Sequence, residues 1–318
     1  MPEAVTGVAG QPRFGDRVAR EVAARQSQLV LGLDPDPDRL WPRAGELADA
    51  AAGSYAAAGE RAAHAVALHC ALVIEAVAEQ CVAVKLQVAC FERLGAPGWA
   101  ALGEVAGCAR DHGLLVVADA KRGDIDVTAV AYGQAYFGET PTPYGPVAGL
   151  GADALTVNPL LGSDSLMPLV TQARDHGGGL FVLARTSNPG AGDLQGLTLA
   201  GGESVSERIA ALVCSLGSGG VGEAGLSDIG AVVGATAPEW IGTLRERMPR
   251  AIFLLPGVGA QGGTIEPLAP AFLPGPAGGL IAASRGIVGA HRQLGGPPAR
   301  AAREQAARLR ELGWSLAG

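Results

Sequence analysis

A chain of 318 residues, 48% hydrophobic and 17% charged, has the composition of a globular protein long enough for one large domain. Its net charge of −7 argues against nucleic acid or an anionic membrane surface as the main partner. No apolar run reaches the roughly 18 residues that a membrane helix needs. Five cysteines without C-x-x-C or zinc spacing, and no leading signal segment, suit reduced thiols in the cytoplasm.

Residues 1–12 read as a loose polar tail and 13–318 as a single domain. Short apolar runs then alternate with longer Ala-rich helical patterns. Strands are predicted at 29–33, 82–86, 114–118, 154–157, 180–184, 229–233, 252–255 and 280–282. Helices are predicted near 16–27, 61–80, 98–112, 126–137, 163–175, 203–216, 238–247 and 299–312. Strands that are apolar throughout have both faces buried, as in a parallel α/β sheet. Eight of them favour a closed (β/α)₈ TIM barrel. A doubly wound dinucleotide fold would need a Gly-rich turn after the first strand. Here that strand runs into Gly32-Leu33-Asp34-Pro35-Asp36-Pro37, which cannot cradle a pyrophosphate. Segments near 42–60, 217–225 and 270–279 are rich in Gly, Pro, Ala and Ser and read as insertions or loose loops.

A barrel carries its chemistry where strands end and loops begin. The chain has 22 arginines but only two lysines, Lys85 and Lys121, and both stand at the ends of predicted strands. An ammonium can give up a proton, which a guanidinium does not do. Asp119 and Lys121 are two apart, so an extended segment points them to one side, and Lys85 enters from the neighbouring strand. Asp124 comes after Gly123, where the chain can turn. The four form an alternating Lys-Asp-Lys-Asp array, with a structural ion-pair network as the competing reading. At the other side of the mouth, the loop Pro256–Gly263 offers backbone N–H groups at Gly257, Gly259, Gly262 and Gly263, and Arg285 ends the last strand, the arrangement that holds a phosphate in such barrels. The five histidines are scattered, with no metal-ligand spacing.

Asp119-Ala-Lys-Arg-Gly-Asp-Ile-Asp-Val-Thr128 resembles the active-site signature of the orotidine 5′-phosphate decarboxylases, and of their longer bacterial branch (type 2) in particular. The likeness continues through Thr186-Ser-Asn-Pro, Val258-Gly-Ala-Gln-Gly-Gly and Ser284-Arg-Gly-Ile. It implies decarboxylation of orotidine 5′-phosphate to uridine 5′-phosphate in de novo pyrimidine synthesis, with no cofactor and no metal. Lys121 would donate a proton to C6, Asp119 would sit beside the departing carboxylate, and Lys85 would hold Asp119 and touch the ribose. Asp34 would bind a ribose hydroxyl, Ser187 the pyrimidine edge, and Gln261 and Arg285 the phosphate. Asp124, Ile125 and Thr128 would reach into a partner subunit's site, making a homodimer obligatory. Two alternatives share parts of this pattern: a metal-dependent sugar-phosphate decarboxylase or aldolase, and a non-catalytic nucleotide-binding barrel.

Overall fold

The computed structural model describes residues 12–51, 57–259 and 261–317. Residues 1–11 of the expected tail and 52–56 of the first expected insertion lie outside that range. Eight parallel strands close into a barrel: β1 (Leu29–Leu33), β2 (Ala83–Gln87), β3 (Leu115–Arg122), β4 (Ala154–Val157), β5 (Gly179–Arg185), β6 (Ile229–Val233), β7 (Phe253–Pro256) and β8 (Gly279–Ala283). The longer helices around it are α1 (Phe14–Arg25), α2 (Pro42–Ala51), α3 (Ala58–Val77), α4 (Ala96–Asp111), α5 (Asp126–Tyr136), α6 (Ser163–Asp175), α7 (Val205–Gly217), α8 (Glu239–Arg247) and α9 (Pro298–Ala317). The (β/α)₈ TIM barrel expected from the sequence is the fold observed.

Two apolar clusters arise from the two-residue period of the strands. Leu29, Leu31 and Leu33 face outward with Val84 and Leu86 and pack under the helices. Val30, Ala83, Val117, Phe181, Leu254 and Leu280 face inward and fill the barrel. Its N-terminal end is closed by α1, whose Phe14 meets Phe181 edge-on at 5.9 Å between ring centroids. Helix α3 with its 3₁₀ extension, Ala58–Gln80, is long and apolar enough to pass for a membrane span. Its apolar side, including Val66, Cys70, Val73 and Ile74, is instead buried in the outer cluster.

The three segments expected to be loose contain more structure than their composition suggests. Helix α2 occupies Pro42–Ala51. Gly217 ends α7 and leads through a 3₁₀ turn, Ser218–Gly220, to a bridge between Val221 and Ser227. This segment docks on α1, since Arg13 donates to the Gly219 carbonyl at 2.8 Å and Asp16 accepts the Ala224 N–H at 2.7 Å. Between β7 and β8 the crossover helix is replaced by 3₁₀ turns, Glu266–Phe272 and Pro276–Gly278. Pro267, Pro270, Pro274 and Pro276 deny it the N–H groups of an α-helix. The buried Arg245 guanidinium fixes this stretch by donating to the carbonyls of Ala271 and Gly278 at 2.8 and 2.9 Å, and to those of Met248 and Ala251.

Candidate active site

The inward row that is apolar at the bottom of the barrel becomes polar at its C-terminal mouth. On β2 it reads Ala83, Lys85, Gln87, and on β3 Val117, Asp119, Lys121. Register pairs Lys85 with Val117 and Gln87 with Asp119, which puts all of them on the interior face. Asp119 is buried between two ammoniums, with Lys85 Nζ at 2.7 Å from Oδ2 and Lys121 Nζ at 2.6 Å from Oδ1. Asp34, at the end of β1, lies 3.7 Å from Lys85 Nζ. Burial by itself would push the Asp119 carboxyl up, but the Lys85 and Lys121 charges overrule it and hold the group at about 2. Burial likewise opposes charge on Lys85, and Asp119 and then Asp34 outweigh it, so its pKa is raised. Both groups stay ionised at neutral pH.

Thr156, an inward residue of β4, completes the array, and nothing in the sequence singles it out. Its hydroxyl donates to Asp119 Oδ1 at 2.9 Å and accepts the Lys121 backbone N–H at 2.9 Å. A β-bulge makes this possible. Pairing of β3 with β4 slips between Ala118 and Arg122, and Lys121 sits in the left-handed region with φ of 52°. A non-glycine residue there stores strain of order 1–3 kcal/mol, which persists where the surroundings over-determine it. The next residue, Arg122, leaves the interior. It pairs with Glu92 and stacks over Tyr132 at 5.5 Å, pinning the strand end from outside.

These groups open on a cavity of 380 Å³. Asp34, Lys85, Asp119, Lys121, Ser187, Gln261 and Arg285 all line it, so seven of the ten residues proposed from sequence converge on one space. Gln87, Thr156, Thr186, Asn188 and Val258 line it as well. Asp124, Ile125 and Thr128 do not: Asp124 caps the Ile125 N–H at 2.9 Å, and Ile125 and Thr128 are exposed at the rim. Asn158, at the end of β4, accepts the Leu160 N–H at 3.1 Å and serves the backbone.

The Gly-rich turn after β7 departs from expectation. Its backbone reverses through left-handed positions at Gly257 (φ of 102°) and Gly262 (φ of 91°), open to glycine but strained for other residues. The turn then closes on itself. The Gly259, Gly262 and Gly263 N–H groups donate to the carbonyls of Gly263, Gly259 and Gly257 at 2.9, 2.8 and 3.1 Å. Those three donors are spent within the loop and do not form an open cradle. At this end of the cavity the side chains of Gln261, Ser284 and Arg285 are polar groups that can meet an anion.

A Lys-Asp-Lys array with Lys85 and Asp119 buried at one end, and an amide-guanidinium pair at the other, suit a substrate with a reacting carboxylate and a distant phosphate. Compared with known families, residues 27–303 match the sequence profile of the orotidine 5′-phosphate decarboxylase / HUMPS family. The chain belongs to that family. It is 42% identical over 301 residues to the orotidine 5′-phosphate decarboxylase of Deinococcus radiodurans, covering 94% of this chain and 96% of that protein. The corresponding protein of Rhodopirellula baltica is 40% identical over 281 residues, 88% of this chain and 89% of the relative. A crystal structure assigned as an orotidine 5′-phosphate decarboxylase from Streptomyces avermitilis superimposes with a TM-score of 0.76 at 32% identity, covering 100% of this chain and 99% of that one. These relatives put the chain on the decarboxylase side of the family, among the carboxy-lyases.

Proposed function

We propose that this chain converts orotidine 5′-phosphate to uridine 5′-phosphate in de novo pyrimidine synthesis, without metal or cofactor. The observation that carries the reading is Asp119 held between Lys85 and Lys121 in the wall of the cavity at the barrel mouth. With the phosphate on Gln261 and Arg285, the ribose lies near Asp34 and Lys85 and the pyrimidine edge near Ser187. The substrate carboxylate then faces Asp119 and Lys121. As the bond from C6 to the carboxylate breaks, carbon dioxide leaves and its electron pair stays on C6. The Lys121 ammonium stabilises that developing charge and then transfers a proton to C6. Both Asp119 oxygens are already matched by ammoniums, a setting that repels a divalent cation and disfavours the metal-dependent sugar-phosphate reading. Phosphate binding, remote from C6, supplies energy for holding this geometry.

The same reading makes the enzyme a homodimer with shared sites. Asp124, Ile125 and Thr128 stand outside their own cavity, and beside them Val127 is 82% and Leu160 69% exposed. An apolar rim of this kind suits coverage by a second copy. All five cysteines are unpaired, which supports a cytoplasmic location. Incubation of the purified chain with orotidine 5′-phosphate tests the function: product accumulates under the proposal, whereas a mere binding barrel shows saturation without product. Mixing inactive Lys121→Ala with inactive Asp124→Ala subunits tests the sharing. Activity returns in heterodimers if one site is assembled from undamaged halves; no return, with subunit exchange confirmed, rejects it.

A further inference from the structure

A second cavity, of 260 Å³, lies between the loop after β1 and the turn after β8. It shares Asp34, Ser284 and Arg285 with the larger cavity but reaches outward, toward α3. One of its lining residues is His69 of α3, only 3% exposed. The His69 Nδ1 accepts the Trp41 backbone N–H at 3.0 Å, which leaves the ring proton on Nε2. That Nε2–H has no hydrogen-bond partner among the described residues. Because His69 lines the cavity, this N–H is free to donate to a ligand oxygen there. Burial also holds the ring pKa at about 4, so at neutral pH His69 offers this wall a neutral N–H donor.

The rim adds charge. Arg39, Arg285 and Arg292 line the cavity from two different loops. Of the two carboxylates present, Asp36 is matched by Arg39 at 3.5 Å and Arg93 at 3.9 Å, and Asp34 by Lys85 at 3.7 Å. Arg285 and Arg292 have no carboxylate partner among the described residues. Donors and unpaired guanidiniums therefore outnumber free acceptors, the condition for binding an oxyanion. At about two thirds the volume of the larger cavity, the space fits a small inorganic anion better than a whole nucleotide.

We propose that this second cavity is a binding site for a small inorganic oxyanion of the phosphate class, held by the His69 Nε2–H, Arg39 and Arg292, and by Arg285 on the shared wall. Because Arg285 lines both cavities, an anion here competes for the guanidinium that would meet the substrate phosphate; this consequence rests on the proposed decarboxylase function. The site turns substrate affinity down without touching Lys121 or Asp119.

The test uses the full chain and inorganic pyrophosphate, titrated calorimetrically into the wild type, an Arg39→Ala/Arg292→Ala variant and Gln261→Ala. The double variant removes exposed side chains outside the catalytic array, so its turnover without pyrophosphate stays at the wild-type level and certifies its fold. Expected is a roughly 10- to 100-fold weaker affinity in the double variant and near wild-type affinity in Gln261→Ala. Pyrophosphate should also raise the wild-type KM for orotidine 5′-phosphate with kcat unchanged, and should do so far less in the double variant. Equal affinity in the wild type and the double variant, or binding lost only in Gln261→Ala, would overturn the second site. Absence of turnover without pyrophosphate would instead count against the decarboxylase reading, leaving the binding result to stand by itself.

Discussion

The two ends of the barrel interior are built by the same strands in the same two-residue rhythm, yet they differ in kind. At the closed end Val30, Ala83, Val117 and Phe181 meet Phe14, and the space is apolar throughout. Two residues further along β2 and β3, the same rows carry Lys85 and Asp119, and two further Gln87 and Lys121. One end gains from leaving water; the other places charges where leaving water costs most. The lower layers thus provide the stability against which the mouth can hold the buried Lys85–Asp119 pair and a left-handed Lys121. Substitutions at the two ends should therefore separate stability from turnover.

Asp119→Ala should break the separation most severely, because it strikes both properties. It strands two ammoniums, one of them buried, with a destabilisation of about 3–5 kcal/mol. It also removes the centre of the array, for a fall in kcat of roughly 10³-fold or more. Denaturant melts and steady-state rates on the same preparation measure the two losses. Phe14→Ala sharpens the contrast. It should cost about 3–5 kcal/mol of stability by opening a cavity at the closed end, while kcat per folded molecule stays unchanged. A matching loss of kcat would show that the two ends are not independent.

Thr156→Val tests the layer in between. Removing the hydroxyl that joins Asp119 to the Lys121 backbone should lower kcat roughly 10- to 100-fold with KM little changed. Thr156→Ser, which keeps the hydroxyl, should restore most of the rate. A loss that serine does not rescue would assign Thr156 to packing alone.

The smallest effect concerns acid. Asp119 titrates at about 2 in the folded chain against an ordinary 3.8. The folded state keeps the charge where the unfolded chain takes up a proton, so this stabilisation is complete above about pH 4 and is lost as pH falls toward 2. It amounts to about 2 kcal/mol. The wild type should lose that much more stability than Asp119→Asn over this window; parallel losses would contradict the ion-pair account.

How much of the molecule is legible in its sequence depends on which physics is local. Strand alternation and apolar periodicity are local, so all eight barrel strands can be placed, and 29–33, 154–157 and 229–233 coincide with the observed bounds. The end of β3 is less legible, since Leu115–Arg122 runs four residues past the predicted end through a bulge set by pairing with β4. Lysines and aspartates at strand ends are conspicuous, and those at 85, 119 and 121 meet as their spacing implies. Thr156 is hidden because a threonine among Ala154, Leu155 and Val157 looks like any β-branched core residue. Its role appears only once β4 lies beside β3. The Gly-rich turn after β7 misleads in the opposite direction: composition cannot tell an open N–H cradle from a loop whose donors bond to one another. Helix α2 escapes notice because Ala and Gly give it little apolar contrast.

The central claim is that the charge array at the mouth does the chemistry and that Lys121 supplies the proton. It is tested most directly by measuring carbon dioxide release from orotidine 5′-phosphate, after exhaustive metal chelation, with the wild type and a folded Lys121→Arg variant. The account predicts that the wild type turns over undiminished and that the variant, which keeps the charge but cannot part with a proton, is inactive. Near-normal kcat in Lys121→Arg, or wild-type activity that vanishes with the metal, would contradict it.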